Sequence, residues 1–495
     1  MIENLILGFS TVFIVENLFY CFAGVFVGTL IGIIPGLGPM ATLSILLPFT
    51  TLMNNPVGAI IAMAGIYYGA QYGGSTAAIL LKIPGEPSSI FSMIDGNILA
   101  EKGRAGHALA IAALSSFIAG TIATFFIFFI AEPAGSFALK FGPSEFSMLI
   151  ICSLVMTSVM VTGNFLKSLG ILLMGFLFST VGTYPLTGEL RYTFGILELM
   201  EGFNVIVVMV TMIGISDIIY KLIHRDRDSV DHSSTITSIY PDKQTVIDSV
   251  APTLRGTFIG SILGLLPGAG PIYASSSSWF VEKIVGKNKN KIGQGTIEGV
   301  AGPEAANNAA AQTGFIPALS LGIPLNPQMA LLLGVLLMNN IKPGPQVMVQ
   351  NPELFWGLIV SMWVGNLFLL ILNWPMIKIW VKILKIPIII LYPLIIFFCI
   401  LGVYYVNHSI FDVWLLVPFV VFGYILRRLN CDPIPFVLGF VLGNFLETFM
   451  MRSLFISNGD WSTFFHSDLS ISILIIGISI LSIFFFLKIK NRSSF

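Results

Sequence analysis

One short pattern occurs twice in this chain, and it is the pattern an apolar helix tolerates least. Gly28-Thr-Leu-Ile-Gly-Ile-Ile-Pro-Gly-Leu-Gly-Pro39 returns as Gly260-Ser-Ile-Leu-Gly-Leu-Leu-Pro-Gly-Ala-Gly-Pro271. Gly28, Gly32, Pro35, Gly36, Gly38 and Pro39 stand in register with Gly260, Gly264, Pro267, Gly268, Gly270 and Pro271. Proline removes a backbone donor and glycine frees φ, so Pro-Gly-x-Gly-Pro ends one helix and starts another. The surroundings make such a break costly: 55% of the residues are hydrophobic and 10% charged, where a soluble domain has about 25% charged. Mean hydropathy is +0.89. Apolar runs of bilayer-spanning length recur as far as Lys488, so the fold class is an all-α polytopic membrane protein. In hydrocarbon an opened backbone is tolerated only where protein or a water-filled cavity satisfies it. Matching interruptions in two halves point to a transport site.

The pattern divides the chain. Residues 1–22 read as an N-terminal helix, 23–220 as a first repeat half holding the PGLGP break, and 221–255 as a cytoplasmic linker. Residues 256–453 read as a second half holding the PGAGP break, and 454–495 as a C-terminal helix and tail, with about 11–12 membrane-embedded elements in all. Residues 57–82 are apolar at both ends, but Gln71, Ser75 and Thr76 lie among Gly69, Gly73 and Gly74, which predicts a second interruption. Residues 95–104 read as a polar loop, and 298–313 as another polar stretch beside apolar sequence. Gln71 precedes Pro84 by 13 positions and Gln312 precedes Pro324 by 12, which pairs these two glutamines between the halves.

Charge suggests how the breaks are oriented. Lys+Arg equals Asp+Glu at 25 each, so no basic surface argues for nucleic acid. No Lys or Arg precedes Lys82, whereas the second break is flanked by Arg255 and by Lys283, Lys287, Lys289 and Lys291. With positive residues inside, the second break faces the cytoplasm and the first the opposite side. Each arm reads as about ten residues, short of the roughly 20 that cross a bilayer, which predicts two re-entrant hairpins in an inverted repeat. Complete crossing by each broken element is the alternative.

Helix starts opened at Gly36, Gly38, Gly268 and Gly270 offer free N–H groups and a positive dipole end to a carboxylate. Ser75, Thr76, Asn307 and Asn308 supply neutral donors and acceptors to complete a substrate site. Gln71, Gln312, Thr313 and Glu304 form the candidate ion-coupling set; Glu304 and Glu86, beside prolines, read equally as exposed loop carboxylates. An isolated Pro-Gly is commonly a packing kink, and a lone buried amide commonly holds helices together. No buried Arg is evident near either break, so co-bound Na+ or H+ is the natural compensation for an anion. Cys21, Cys152, Cys399 and Cys431 are scattered singly, which suits core packing, and the five histidines have no ligand spacing. No phosphate-binding loop, nucleophile elbow or zinc-protease helix is present. The residues therefore predict neither an enzyme nor a bound cofactor. An anion channel built from the same hairpins, and a membrane enzyme acting on a lipid-linked anion, are the competing classes.

At these motifs the chain resembles the large membrane subunit of the tripartite tricarboxylate transporters, the TctA-type permeases. The resemblance rests on the two breaks, Tyr68-Gly-x-x-Tyr-Gly-Gly-Ser75, Asp95-Gly96, Gly103-x-x-Gly106, Pro303-Glu-x-x-Asn-Asn308, Leu321-Gly-Ile-Pro324 and Pro343-Gly-Pro345. It implies secondary uptake of a tricarboxylate, dicarboxylate or related organic anion across the bacterial inner membrane, driven by a cation gradient. It also implies a small membrane subunit and a periplasmic solute-binding protein as partners, with membrane lipid around the chain. The family usually has Gly-Ile-Pro-Gly-Ser where this chain has Gly322-Ile-Pro-Leu-Asn326, so the resemblance does not carry citrate over as the substrate.

Overall fold

The computed structural model of the chain describes residues 2–34, 38–82, 84–138, 140–161, 165–184, 187–224, 239–266, 270–322, 324, 326–383, 388–475 and 477–479. Helices α1 (Ile2–Val12) and α2 (Val15–Gly32) lead into the first break, and α3 (Pro39–Leu46) leaves it. Then come α4 (Pro56–Leu81), α5 (Ile90–Leu99), α6 (Ala105–Ala138), α7 (Pro143–Val161) and α8 (Phe165–Ser179). A small antiparallel hairpin pairs Gly182–Thr183 with Leu190–Arg191. Helices α9 (Val205–Met209) and α10 (Ser216–Ile223) follow, joined by a wide turn of helix at Val210–Ile215. The second half opens with α11 (Lys243–Leu263), the second break and α12 (Gly270–Val285), then α13 (Glu298–Thr313), α14 (Phe315–Leu321) and α15 (Pro327–Met338). The rest is α16 (Val347–Gln350), α17 (Pro352–Asn373), α18 (Ile377–Ile383), α19 (Ile388–Asn407), α20 (Ile410–Arg428) and α21 (Ile434–Ile456).

Six helical stretches among the described residues are long and apolar enough to cross a membrane: Val15–Gly32, Pro87–Phe137, Val205–Ile223, Pro352–Asn373, Ile410–Arg428 and Ile434–Ile456. The chain is an all-α polytopic membrane protein. Its outer helices keep an apolar stripe facing outward, as Val250, Leu254, Phe258 and Ile262 do at four-residue spacing on α11. Two helices differ from these. α4 is buried from Gly58 to Leu81, and every residue of α13 is buried.

What holds α4 and α13 in place is the same device in each half. A Cβ on Gly24, Gly28 or Gly32 of α2 would come within 2.2–2.4 Å of the carbonyl oxygens of Ala62, Ile66 and Ala70 on α4. A Cβ on Gly256 or Gly260 of α11, or on Gly264 at its C-cap, would come within 2.2–2.5 Å of the carbonyls of Gly302, Ala306 and Ala310 on α13. Lipid removes most of the hydrophobic drive between helices, so close backbone contact at small residues supplies the attraction. Residues 62, 66 and 70 and residues 302, 306 and 310 differ by a constant 240 positions. The same offset continues past the helix ends. Lys82 and Gly322 both take left-handed backbone (φ/ψ 58/27 and 71/19). Glu86 and Asn326 then hold nearly one extended conformation (−144/162 and −145/163), each before a proline that starts the next turn.

Several sequence expectations change here. α4 is continuous rather than interrupted, because Gly65, Gly69 and Gly73 face the α2 backbone and serve as packing surface. The offset of 240 sets Tyr72 opposite Gln312, not Gln71. Residues 95–104 are no loop: α5 runs to Leu99 and turns through Gly103 (φ 75) directly into α6. The arms beside the breaks are longer than ten residues, at 18 for α2, 21 for α11 and 16 for α12, with only α3 as short as 8. α2 starts at Val15 and α11 at Lys243, so helix crosses the boundaries drawn at 22 and 255. Arg255, read as part of a positive flank, is neutralised by Glu282 through bonds of 2.8 and 2.6 Å.

Candidate functional site

Both breaks open onto one cavity of about 440 Å³. Residues 38–41 and 270–273 line it from the two breaks, 85–88 and Asn326 with Gln328 from the segments after α4 and α14. Four helical starts therefore meet at its wall. Two are capped: Asn326 Oδ1 accepts from Met329 N at 2.9 Å, and Glu86 with Ser89 closes a capping box on the turn at Pro87–Ser89. The start of α3 carries no capping side chain, because its cap position is Gly38. First-turn amides have no partner within their own helix, and Met40 and Ala41 of that first turn line the cavity, where such amides have capacity to bind an anion. The start of α12 at Gly270 presents Ile272 and Tyr273 to the same space.

The cavity wall also brings charge that sequence distance hid. Asp217 and Lys221 on α10, Arg427 on α20 and Asp432 line it. Arg427 Nη1 lies 3.0 Å from Asp217 Oδ1, and Lys221 Nζ donates to Asp217 Oδ2. Arg427 also donates to Ser216 Oγ at 3.3 Å. The expectation that no arginine serves the breaks is thus corrected: the cation arrives from a helix about 160 positions after the second break. Read along the chain, Arg427 looks only like the positive end of an apolar span.

The expected site residues separate into distinct places. Gly38 and Gly270 line the cavity; Gly36 and Gly268 lie outside the described residues. Asn307 stands one bond behind the wall, donating to Glu86 Oε1 at 2.8 Å. Glu86 is 6% exposed, so it is no loop carboxylate. Ser75, Thr76 and Glu304 line a second, much smaller cavity of about 10 Å³, with Ser116 and Asn373. Ser75 Oγ donates to Glu304 Oε2 at 2.9 Å, and Asn308 Nδ2 donates to Ser116 Oγ at 2.7 Å. Gln312 accepts from Thr124 Oγ1 at 2.6 Å, and Thr313 donates to the Ala309 carbonyl on its own helix. The Gln71 amide is fully buried, and neither of its polar atoms has a partner among the described residues.

Asp95 is a residue that the sequence reading placed in a loop and the structure places at a joint. Its buried carboxylate accepts from the N–H groups of Gly293, Gly295 and Thr296 at 2.8–2.9 Å and from Trp279 Nε1 at 3.1 Å. It ties α5 of the first half to the segment between α12 and α13.

The family model described as the tripartite tricarboxylate transporter TctA family matches residues 18–438. Two similar proteins come from Agrobacterium vitis. One, described as an uncharacterized 52.8 kDa protein in the TAR-I ttuC' 3'region, is 45% identical over 99% of this chain and 98% of its own length. The other, described as an uncharacterized protein in the TAR-II ttuC' 3'region, is 50% identical over 44% of this chain and 90% of its own length. No solved structure matches. Repeated breaks on one cavity, polytopic helical architecture and a match along most of its length agree: this chain belongs to the tripartite tricarboxylate transporter TctA family and is a multi-pass membrane component of such a system.

Proposed function

We propose that this chain is the substrate-conducting subunit of a secondary importer for a di- or tricarboxylate or a related organic anion. In this reading a cation gradient drives uptake across the bacterial inner membrane, a periplasmic solute-binding protein delivers substrate, and a small membrane subunit completes the assembly. The observation that carries it is the 440 Å³ cavity onto which the starts of α3 and α12 open, with Lys221 and Arg427 in its wall. One carboxylate bonds the free first-turn amides of α3, where the helix dipole favours negative charge. A second reaches the start of α12 or the Arg427 guanidinium, whose planar fork suits a carboxylate. Asp217 already shares both cations, so substrate competes with it rather than meeting bare charge. Alternating access then moves the glycine-seamed pairs α2–α4 and α11–α13 as units against the remaining helices.

The test is uptake by proteoliposomes holding this chain and the small subunit, with binding protein outside and a labelled panel of citrate, dicarboxylates and aromatic acids. The reading predicts that one acid accumulates above equilibrium, dependent on an imposed cation gradient. Equilibration indifferent to every gradient would replace it with a channel or facilitator.

A further inference from the structure

Glu304 is 2% exposed, and among the described residues no Lys, Arg or His lies within ion-pairing distance of it. Its Oε2 accepts from Ser75 Oγ at 2.9 Å and Ser116 Oγ at 3.5 Å, while its Oε1 has no partner among the described residues. Ser92 also stands beside this carboxylate, and its hydroxyl donates to the Ser89 carbonyl at 3.1 Å. A second unpartnered acceptor faces the same problem. Asn373 of α17 donates from Nδ2 to Leu369 O at 3.0 Å, and its buried Oδ1 has no partner among the described residues. Glu304 and Asn373 line one cavity of about 10 Å³ with Ser75, Thr76, Ser116 and Tyr72, and no basic side chain lines it. That volume is about one water-sized sphere. Burying a carboxylate without a positive partner is strongly unfavourable, so this group must take up either a proton or a small cation.

We infer that the pocket enclosed by Glu304, Ser75, Thr76, Ser116 and Asn373 is a Na+ site. The inference rests on the transporter reading for its role, since it names the coupling ion of that reading, but not for its chemistry. Beside the apolar Leu109, Ala112 and Ala113, the pocket offers carboxylate, hydroxyl and amide oxygens, the donor type of a hard cation, and one carboxylate balances one positive charge, where a divalent ion would draw several. A proton would occupy Glu304 Oε1 but has no use for the hydroxyl lone pairs or the space. The ligands come from α4 and α6 on one side and from α13 and α17 on the other, so the ion fastens first-half helices to second-half helices. Binding therefore favours whichever arrangement of the halves closes this pocket. A route to the substrate is built in: Asn307, one turn after Glu304 on α13, bonds Glu86 on the wall of the larger cavity. Coupling between the two sites is reciprocal, so Na+ tightens carboxylate binding by the factor by which carboxylate tightens Na+ binding.

The test is equilibrium binding of radioactive Na+ to the purified chain with its small subunit, in choline buffer without carboxylate, followed by carboxylate binding with and without Na+. Wild type is expected to bind Na+ saturably. Glu304→Gln, Ser116→Ala and Asn373→Leu are each expected to weaken that binding about 10–100-fold or more, since loss of even an outer-shell partner costs that much. Thermal melting identifies any variant that fails to fold; if Glu304→Gln does, the other two decide. Unchanged Na+ affinity in the folded variants overturns the assignment, as does proton uptake on carboxylate binding with no saturable Na+ site. Na+ binding without carboxylate binding would instead sink the transporter reading and leave the ion site standing.

Discussion

α4 and α13 hold the same place in the two halves and are made of different material. Each lies against three glycines at four-residue spacing; α4 ends in left-handed Lys82, and α14, which continues α13, ends in left-handed Gly322, each followed by a proline and an extended cap. α4 returns the contact with glycines of its own, at 65, 69 and 73. α13 carries Glu304, Asn307, Asn308 and Gln312, each engaged with a first-half side chain or one bond from it. The two helices share backbone geometry, while most of the polar side chains stand on α13 and α4 adds Ser75 and Thr76. Glycine and proline act through the main chain and so can serve both halves, whereas a polar side chain needs partners that only one half supplies.

The sharpest way to break this comparison is to add bulk at matched seams. Gly28→Leu and Gly260→Leu are each expected to abolish accumulation of folded protein, since even a Cβ would meet carbonyl oxygen at 2.4 and 2.2 Å. The milder Gly28→Ala and Gly260→Ala should each cost about 1–3 kcal/mol or more, as overpacking does. Gly170→Ala is the control, because nothing lies within 4 Å of its Cβ position. Thermal unfolding in detergent reads all of them. A harmless alanine at one seam and a ruinous one at the other would mean that the halves are not held alike.

A smaller effect tests the asymmetric part. Arg427→Ala is expected to weaken carboxylate binding about tenfold or more, the worth of a charge-assisted contact of at least 1.4 kcal/mol. Lys221→Ala should cost less, since Arg427 retains Asp217 at 3.0 Å. Equilibrium binding of labelled acid separates the two, and equal losses would show that net charge rather than geometry matters. The smallest effect concerns the caps. Asn326→Ala should lower stability by about 1 kcal/mol, while Asn326→Ser keeps the cap and stays within about 0.5 kcal/mol of wild type. That comparison, read by thermal unfolding, explains why this chain can depart from the usual serine at this position.

The parts of the molecule that were legible in the sequence are those whose meaning is local. Two Pro-Gly-x-Gly-Pro breaks, the membrane class and the family motifs follow from residues next to one another. Glycine inside a helix is ambiguous in that way: the same residue marks a break or a packing face, and only the approach of α2 decides that α4 stays whole. Charge was less legible still. Arg427 and Lys221 reach the cavity from α20 and α10, and Asp95 finds its five donor groups about 200 positions away. Ser75 and Thr76 were expected beside Gly38 and instead stand beside Glu304, a separation made by the length of α4.

The most direct test of the central claim, that both breaks hold one substrate between them, is protection from alkylation. Met40→Cys beside the first break and Tyr273→Cys beside the second would be placed singly in a chain whose Cys21, Cys152, Cys399 and Cys431 are replaced, and labelled with and without the transported acid. The acid is expected to slow labelling at both positions over the same concentration range. Protection at neither, in protein that still binds the acid, would place the substrate elsewhere and contradict it.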